Sequence, residues 1–206
     1  MVDPVLSAQE HARISAAIAE AETRTAGEIY VVVAREADPF RLVPVLWSAL
    51  FAFLLAWVLY VATPLSTAWI LTLQAAAFVA AALVLSLEPL RFATAPPAIV
   101  GEAVHRAALA QFMAHGVHLT QHRTGVLIYL CLRPRRIELV ADEAIHARVE
   151  QPVWDAMVTE IAAAARAGQL SEGLVQAIGR VGVLLAQHFP KSAGDANELS
   201  DQIVEV

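Results

Sequence analysis

An uncharged stretch interrupts this chain between Leu42 and Leu87. It contains no Asp, Glu, Lys, Arg or His, and Thr63-Pro64 divides it into the segments 42–62 and 65–87. A helix of about 20 residues is long enough to cross the roughly 30 Å hydrocarbon core of a bilayer. We therefore predict two transmembrane helices that form a hairpin, so the two flanking segments must lie on the same side of a lipid bilayer.

The basic residues predict which side that is. All 14 Lys and Arg residues lie outside the uncharged stretch, and Arg41 and Arg91 bracket it. Basic residues are enriched in cytoplasmic segments of membrane proteins. The first residues also lack the basic and apolar regions of a cleavable signal peptide. We expect a protein of the inner (cell) membrane with its soluble domain and both termini in the cytoplasm.

Small side chains recur at helical spacing in the second predicted span. Ala76 and Ala80 are four residues apart, as are Ala77 and Ala81, and Gln74 is the one strongly polar residue nearby. Small faces let helices approach closely. This face packs either within the hairpin or against another integral membrane protein, and Gln74 either bonds across the hairpin or marks such a contact.

Composition and motifs exclude several classes of function. The net charge is −6 and there is no basic run, so we expect no nucleic-acid partner. The single cysteine, Cys131, lies in an apolar segment and cannot form a disulfide within the chain. The sequence has no phosphate-binding glycine loop, dinucleotide fingerprint or nucleophile elbow.

The soluble segments predict one α/β domain that the hairpin divides, with the order α-β, hairpin, α-β-β-α-α. Its parts are residues 1–41 and 91–206, with an acidic, irregular tail at 191–206. Runs of β-branched and apolar residues predict the strands, and caps, prolines and glycines predict the helix ends. The predicted strands are 29–34, 126–132 and 136–141, and the helices begin after Ser7, at Pro97, at Pro152 and after a Ser171 cap.

Acidic residues at two strand ends are the first candidate site. Asp142 and Glu143 follow the third predicted strand, and Glu28 begins the first. Open α/β sheets bind ligands beyond strand ends, and a hard cation takes about six oxygen ligands. Alternatively, Asp142 caps a helix that begins at Ala144, Glu143 stabilises the first turn of that helix, and Glu28 faces solvent.

Histidines before the second strand are another candidate. His115, His118 and His122 lie close in sequence, and His146 follows the third strand. Imidazoles at such spacing bind zinc or copper, whereas exposed loop histidines are the alternative. His118 is the one that we add to the metal candidates.

Three arginines surround the predicted hairpin turn. Arg133-Pro134-Arg135 is expected to be a turn with proline in its second position, and Arg136 opens the next strand. The group contacts anionic lipid headgroups or an acidic partner, or it is simply a solvated turn.

The order of the predicted elements and several motifs in the soluble segments resemble the TPM domain family. The resemblance is to its bacterial branch, which has two transmembrane spans inside the domain. The matching motifs are TAGEI at 25–29, RTGVLI at 123–128, RIE at 136–138 and the helical end from Gly168 to Pro190. The resemblance implies an α/β/α sandwich. For some members it implies acid-phosphatase activity or bound calcium, and for others a part in assembling membrane complexes.

One departure from that family decides between these activities. Enzymatic members carry an acid-rich loop before the second strand, whereas HGVHLTQHRTG at 115–125 contains no carboxylate. We therefore expect a non-catalytic accessory or assembly subunit of a membrane complex, without a cofactor. The alternative is a phosphatase that depends on calcium or another divalent metal, with Asp142, Glu143 and Glu28 as catalytic or metal-binding residues and His118 as a further ligand.

Overall fold

The computed structural model describes residues 5–37, 40, 42–192 and 197–206. The chain divides into two compact units, residues 1–37 with 101–206 and residues 38–100. The helices are α1 (Ala8–Glu22), α2 (Leu42–Ala62), α3 (Thr67–Leu85), α4 (Glu88–Ala93), α5 (Pro97–Ala114), α6 (Glu143–His146), α7 (Gln151–Arg166) and α8 (Leu170–His188). The strands are β1 (Glu28–Glu36), β2 (Gly125–Arg133), β3 (Arg136–Ala141) and β4 (Val204–Glu205).

The larger unit is built on a four-stranded mixed sheet with the order β3-β2-β1-β4. Strands β1 and β2 are parallel, β4 is parallel to β1, and β3 is antiparallel to β2. The two central strands are buried on both faces over their first seven residues. Their continuous apolar sequence follows from that position, because helices cover a parallel pair on both sides.

Helices cover the two faces of the sheet, so the predicted α/β/α sandwich is confirmed. One apolar core joins the odd-numbered residues of β1, such as Val31, to helices α1, α7 and α8. The other core joins even-numbered residues of β1, such as Val32, and odd-numbered residues of β2, such as Tyr129, to Val104 and Phe112 of α5. The alternation follows from the two-residue period of a strand.

Two predicted helix caps have different outcomes. The Ser7 hydroxyl accepts a hydrogen bond from the Glu10 N–H, and the Glu10 carboxylate accepts one from the Ser7 N–H, so the capping box of α1 is confirmed. The predicted Ser171 cap is wrong. Helix α8 begins at Leu170, and the Ser171 hydroxyl is buried in its first turn without a partner.

The tail was predicted to be irregular, and its described residues contain no helix or strand except at the end. Residues 204 and 205 form β4 beside β1, with the Val206 N–H bonded to the Val33 carbonyl. Ile203 is 6% exposed in the core. The Glu205 carboxylate accepts hydrogen bonds from the N–H groups of Val5 and Leu6. A short polar segment is ordered here because an open sheet edge and two free N–H groups offer it partners.

The smaller unit contains both apolar helices. They have 21 and 19 residues and mean hydropathies of 2.3 and 2.1, so each is long and apolar enough to cross a membrane. Most of their side-chain surface is exposed, while Ser48, Ala52 and Ile70 are buried. Helix α3 is two residues shorter at each end than the predicted span of 65–87. Arg41, one of the predicted bracketing arginines, lies outside the described residues.

Candidate functional site

The predicted acidic site lies at the edge of the sheet where β1 and β2 begin, which we call the amino edge. Strand β3 runs antiparallel to β2, so its last residues return to that edge. Ligands of open α/β sheets bind beyond the carboxyl ends of the parallel strands. Asp142 follows a strand that the predicted hairpin turn makes antiparallel to β2, so it does not lie beyond the carboxyl ends of β1 and β2.

Asp142 serves as the cap of a helix. Its side-chain Oδ1 accepts a hydrogen bond from the Glu143 N–H at 2.7 Å, and α6 begins at Glu143 rather than Ala144. The Arg123 Nε lies 3.5 Å from the same oxygen. The second oxygen, Oδ2, is buried without a hydrogen-bond partner, and Glu143 is exposed in the first turn.

The capping role predicts the effect of substitution at Asp142. We expect Asp142→Ala to lower the free energy of unfolding by about 1 kcal/mol, because the Glu143 N–H loses its acceptor. Asp142→Asn retains a side-chain oxygen that can accept this hydrogen bond. It should therefore lower the free energy of unfolding by only a few tenths of the loss expected for Asp142→Ala. Urea unfolding of the full chain in mild detergent, followed by circular dichroism, measures both, with the exposed Glu143→Ala as the control. An Asn variant as unstable as the Ala variant would show that the negative charge, not the cap, matters.

Glu28 does not face solvent, so that expectation is wrong. The residue is 4% exposed, and its carboxylate accepts hydrogen bonds from the N–H groups of Glu198 and Leu199 at 3.1 and 3.3 Å. In the sheet register Glu28 pairs with Gly125, whose carbonyl accepts a hydrogen bond from the Asp142 N–H. The tail thus covers Glu28 at the amino edge.

Glu22 is a buried carboxyl that the sequence analysis missed. Its Oε1 accepts a hydrogen bond from the Ile29 N–H at 2.8 Å, and its Oε2 is buried without a partner. Burial raises the pKa of Glu22 to about 8, and the nearby carboxylates of Glu28 and Asp201 act in the same direction. Helical spacing could have predicted this burial, because Glu22 follows the buried Ile18 by four residues and so lies on the same helix face.

These acids do not form a metal centre. Among the described residues, no three His, Cys, Asp or Glu side chains are placed to hold a metal ion. Glu28 is bonded to tail N–H groups and Asp142 to a helix N-terminus. Calcium requires several converging oxygen ligands, so the residues present do not fit the calcium that some members of the resembled family carry.

The four histidines differ in their burial and in their hydrogen-bond partners. His115 Nδ1 lies 3.0 Å from the Tyr30 hydroxyl, and its Nε2 lies 3.0 Å from Gln111 Oε1. His118 is half-buried with its Nδ1 unpartnered. His122 is exposed, as expected for a loop histidine, and His146 is exposed at the end of α6.

The arginine turn lies at the opposite edge, which we call the carboxyl edge, where β1 and β2 end. The Arg133–Pro134 peptide is cis, and the Arg135 N–H donates to the Leu132 carbonyl at 3.1 Å. The turn is therefore counted from Leu132, and Pro134 occupies its third position rather than the predicted second. Arg133, Arg135 and Arg136 are all exposed.

The alanine face of α3 is divided between the hairpin and the surroundings. Ala77 and Ala81 are half-buried against α2, whereas Ala76 and Ala80 are exposed. Gln74 is half-buried, and its side chain forms no hydrogen bond with another described residue. Packing within the hairpin thus uses only part of this face.

Comparison with known proteins is consistent with this architecture. The family model of the TPM domain matches residues 89–184, just under half of the chain. Among solved structures, the chain is similar to the BA42 protein from the psychrophilic bacterium Bizionia argentinensis, determined by NMR. The TM-score is 0.63 and the sequence identity 20%, over 100% of this chain and 99% of that one. No curated protein matches significantly.

Proposed function

Because this chain contains a TPM domain and two helices that are apolar enough to cross a membrane, we propose that it is a membrane-anchored accessory subunit. In this proposal the hairpin α2–α3 holds the α/β/α unit at the cytoplasmic face of the inner membrane. The protein acts without catalysis, by binding or helping to assemble another integral membrane protein.

The observation that carries the proposal is the exposure of the two apolar helices. The windows of highest hydropathy are 17% buried in α2 and 6% buried in α3. Large side chains such as Leu46, Leu54 and Trp57 are exposed on α2, as are Leu71 and Leu83 on α3. An apolar surface of this extent requires lipid or protein to cover it.

The environment of the acids supports a non-catalytic role. A general acid or base, or a metal ligand, needs an atom that is accessible to substrate or metal. Asp142 is 5% exposed and caps a helix, and Glu28 is 4% exposed beneath the tail. Both carboxylates therefore have structural roles at the amino edge.

The exposed half of the alanine face is the surface that we assign to the partner. Ala76 and Ala80 are one helical turn apart and exposed, and Gln74 offers an amide to a neighbouring helix. Small residues allow a partner helix to come close, and a side-chain amide in a bilayer stabilises a contact by hydrogen bonding.

Photo-crosslinking in native membranes tests this function. A photoreactive residue in place of Ala76 or Ala80 should give one reproducible adduct with an integral membrane protein. The same residue at Leu54, which is 53% exposed on α2, is the matched control and should give none. Adducts of equal yield from all three positions would contradict a specific partner surface.

A hydrolysis assay tests the alternative function. The purified full chain is incubated with a phosphomonoester, with and without calcium, magnesium or zinc. We expect no turnover. Metal-dependent turnover that is lost in Asp142→Asn, a variant that keeps the helix cap, would overturn the accessory role and establish the phosphatase.

A further inference from the structure

The arginine turn forms one wall of an open cavity of about 260 Å³ at the carboxyl edge. The end of β2 and the start of β3 form this wall, and the last turn of α7 and the first residue of α8 form the other. We call it the arginine cavity. Its lining residues used below are Leu132, Arg135, Arg136, Ile137, Arg166 and Leu170.

The charge of the arginine cavity is positive. Arg135 and Arg136 come from the turn, and Arg166, which the sequence analysis did not associate with them, is the last residue of α7. In the part of the chain that the structure describes, no carboxylate lines the cavity, and neither Arg135 nor Arg166 forms an ion pair. Leu170 begins α8, so the positive end of that helix dipole adjoins the cavity.

The inner surface of the cavity is apolar. Leu132, Ile137 and Leu170 line it below the guanidinium groups, together with alanines of α7. A cavity with cationic groups at its rim and apolar side chains within suits an anionic amphiphile better than a fully hydrated ion.

The arginine cavity lies at the edge of the larger unit from which the chain connects to the smaller unit. The chain leaves the unit after Ala37, directly after β1, whose Glu36 pairs with Arg133 in the sheet register. It returns at Gly101, where an added Cβ would lie 3.4 Å from the Arg136 Nη1. Both connections therefore start at the carboxyl edge, beside the arginine turn.

Arginines are concentrated at one edge of the sheet and acids at the other, although Glu36 also lies at the carboxyl edge and Arg123 at the amino edge. The acids Glu28, Asp142 and Asp201 lie at or near the amino edge, away from the tether. Arginines lie at the carboxyl edge. Exposed arginines at the edge from which both chain connections start would be attracted to an anionic membrane surface.

We propose that the arginine cavity binds the phosphate group of an anionic lipid headgroup. The guanidinium groups of Arg135, Arg136 and Arg166 donate hydrogen bonds to the phosphate oxygens, in the forked geometry that suits phosphate. The inference rests on the proposed function to the extent that the hairpin must hold the unit at a bilayer.

Reconstitution of the full chain into lipid nanodiscs tests the proposal. One preparation contains phosphatidylcholine alone and the other includes 30% phosphatidylglycerol. Amide hydrogen exchange is measured by mass spectrometry in the segments 133–137 and 165–170. We expect phosphatidylglycerol to slow exchange in both segments about tenfold, as binding strengthened by two or three arginines would give.

Two charge-neutralising variants and a matched control test the assignment to the cavity. Arg135→Gln and Arg166→Gln should each lose most of the protection that phosphatidylglycerol confers. Arg106→Gln removes the same charge from an exposed arginine of α5, outside the cavity, and should retain it. Circular dichroism of each variant establishes that it is folded. Equal protection in both lipids, or an equal loss in Arg106→Gln, overturns the proposal.

A third arm separates lipid from free phosphate. Millimolar inorganic phosphate is added to the nanodiscs of phosphatidylcholine alone. Protection by inorganic phosphate without protection by phosphatidylglycerol would assign the cavity to a soluble phosphate compound and overturn the lipid proposal. If the chain fails to enter nanodiscs at all, the proposed membrane anchoring fails. If it enters but is insensitive to phosphatidylglycerol, only this inference fails.

Discussion

We expect truncation after Gln202 to lower the free energy of unfolding by about 5 kcal/mol. It removes Ile203, which is 6% exposed in the main core, and loss of a buried isoleucine side chain typically costs about 2–5 kcal/mol. It also removes the Glu205 carboxylate, which accepts hydrogen bonds from the N–H groups of Val5 and Leu6 and from the His11 ring. Hydrogen bonds to a charged group contribute roughly 1.5–3 kcal/mol each.

The pKa of Glu205 is consistent with this tight binding. Burial raises the pKa, but the hydrogen bonds from Val5, His11 and Leu6 outweigh burial and hold it below its usual value. A carboxylate with a depressed pKa stabilises the folded state above its unfolded pKa, and this contribution is lost as the pH falls. The tail therefore fastens the start of the chain to the sheet at neutral pH.

Urea unfolding of the full chain and of the truncated chain in mild detergent, followed by circular dichroism, measures this effect. A loss of 5 kcal/mol is close to the whole stability of many domains, so hydrogen exchange of β1 amides provides a second readout. Asn197→Ala changes an exposed tail residue outside β4 and is the control. Unchanged exchange in β1 after truncation would show that β4 contributes nothing to the sheet.

We expect Glu22→Gln to make the protein more stable than the wild type at pH 8, by an amount on the order of 3 kcal/mol. The physical cause is the pKa of Glu22, which burial raises from 4.5 to about 8. Glutamine retains an oxygen to accept from the Ile29 N–H, and it places no charge near Glu28 and Asp201.

The pH dependence of this effect has a defined sign. Below about pH 4.5 the Glu22 carboxyl is protonated in both the folded and the unfolded chain, so its raised pKa costs no stability there. As the pH rises from 4.5 to about 8, the unfolded chain loses its proton while the folded chain keeps it. The wild type therefore loses stability across this window, at up to about 1.4 kcal/mol per pH unit, and the variant does not.

Unfolding curves at half-unit intervals between pH 4 and pH 8.5 measure the difference. Glu20→Gln, at an exposed position of the same helix, is the matched control and should follow the wild type. Parallel curves for the wild type and Glu22→Gln across the window would show that Glu22 ionises normally in the folded protein. That outcome would contradict the account of the amino edge as a buried acidic cluster.

Local patterns were sufficient for the main elements of the larger unit. The β-branched run in β1 and the apolar run in β2 predicted both central strands to within two residues at each end, and β3 was predicted at its observed bounds. The helix starts after Ser7, at Pro97 and at Pro152 were also predicted to within one residue. These signals are strong because capping, proline geometry and strand period act over a few residues.

Features that depend on contacts between residues far apart in the sequence could not be predicted from local patterns. Strand β4 is two residues long in a polar tail, and it exists because β1 presents a free edge. The hairpin turn that was predicted between β2 and β3 makes β3 antiparallel and so brings Asp142 to the amino edge. Pairing between strands that are distant in sequence, such as β1 with β4, is a tertiary property that no local pattern encodes.

The sequence by itself determined the α/β class of this protein, the two apolar helices and their place after the first strand, because hydrophobic period, segment length and charge are local properties. Only the tertiary structure decided what the charged side chains do. It buried Glu22, covered Glu28 with the tail, and brought Arg166 to the arginine turn across more than two dozen residues of chain. For Asp142 it selected the helix cap from the two roles that the sequence had offered. The pKa of a charged group depends on its burial and on the charges and hydrogen bonds around it. Both depend on how the elements pack in the folded protein.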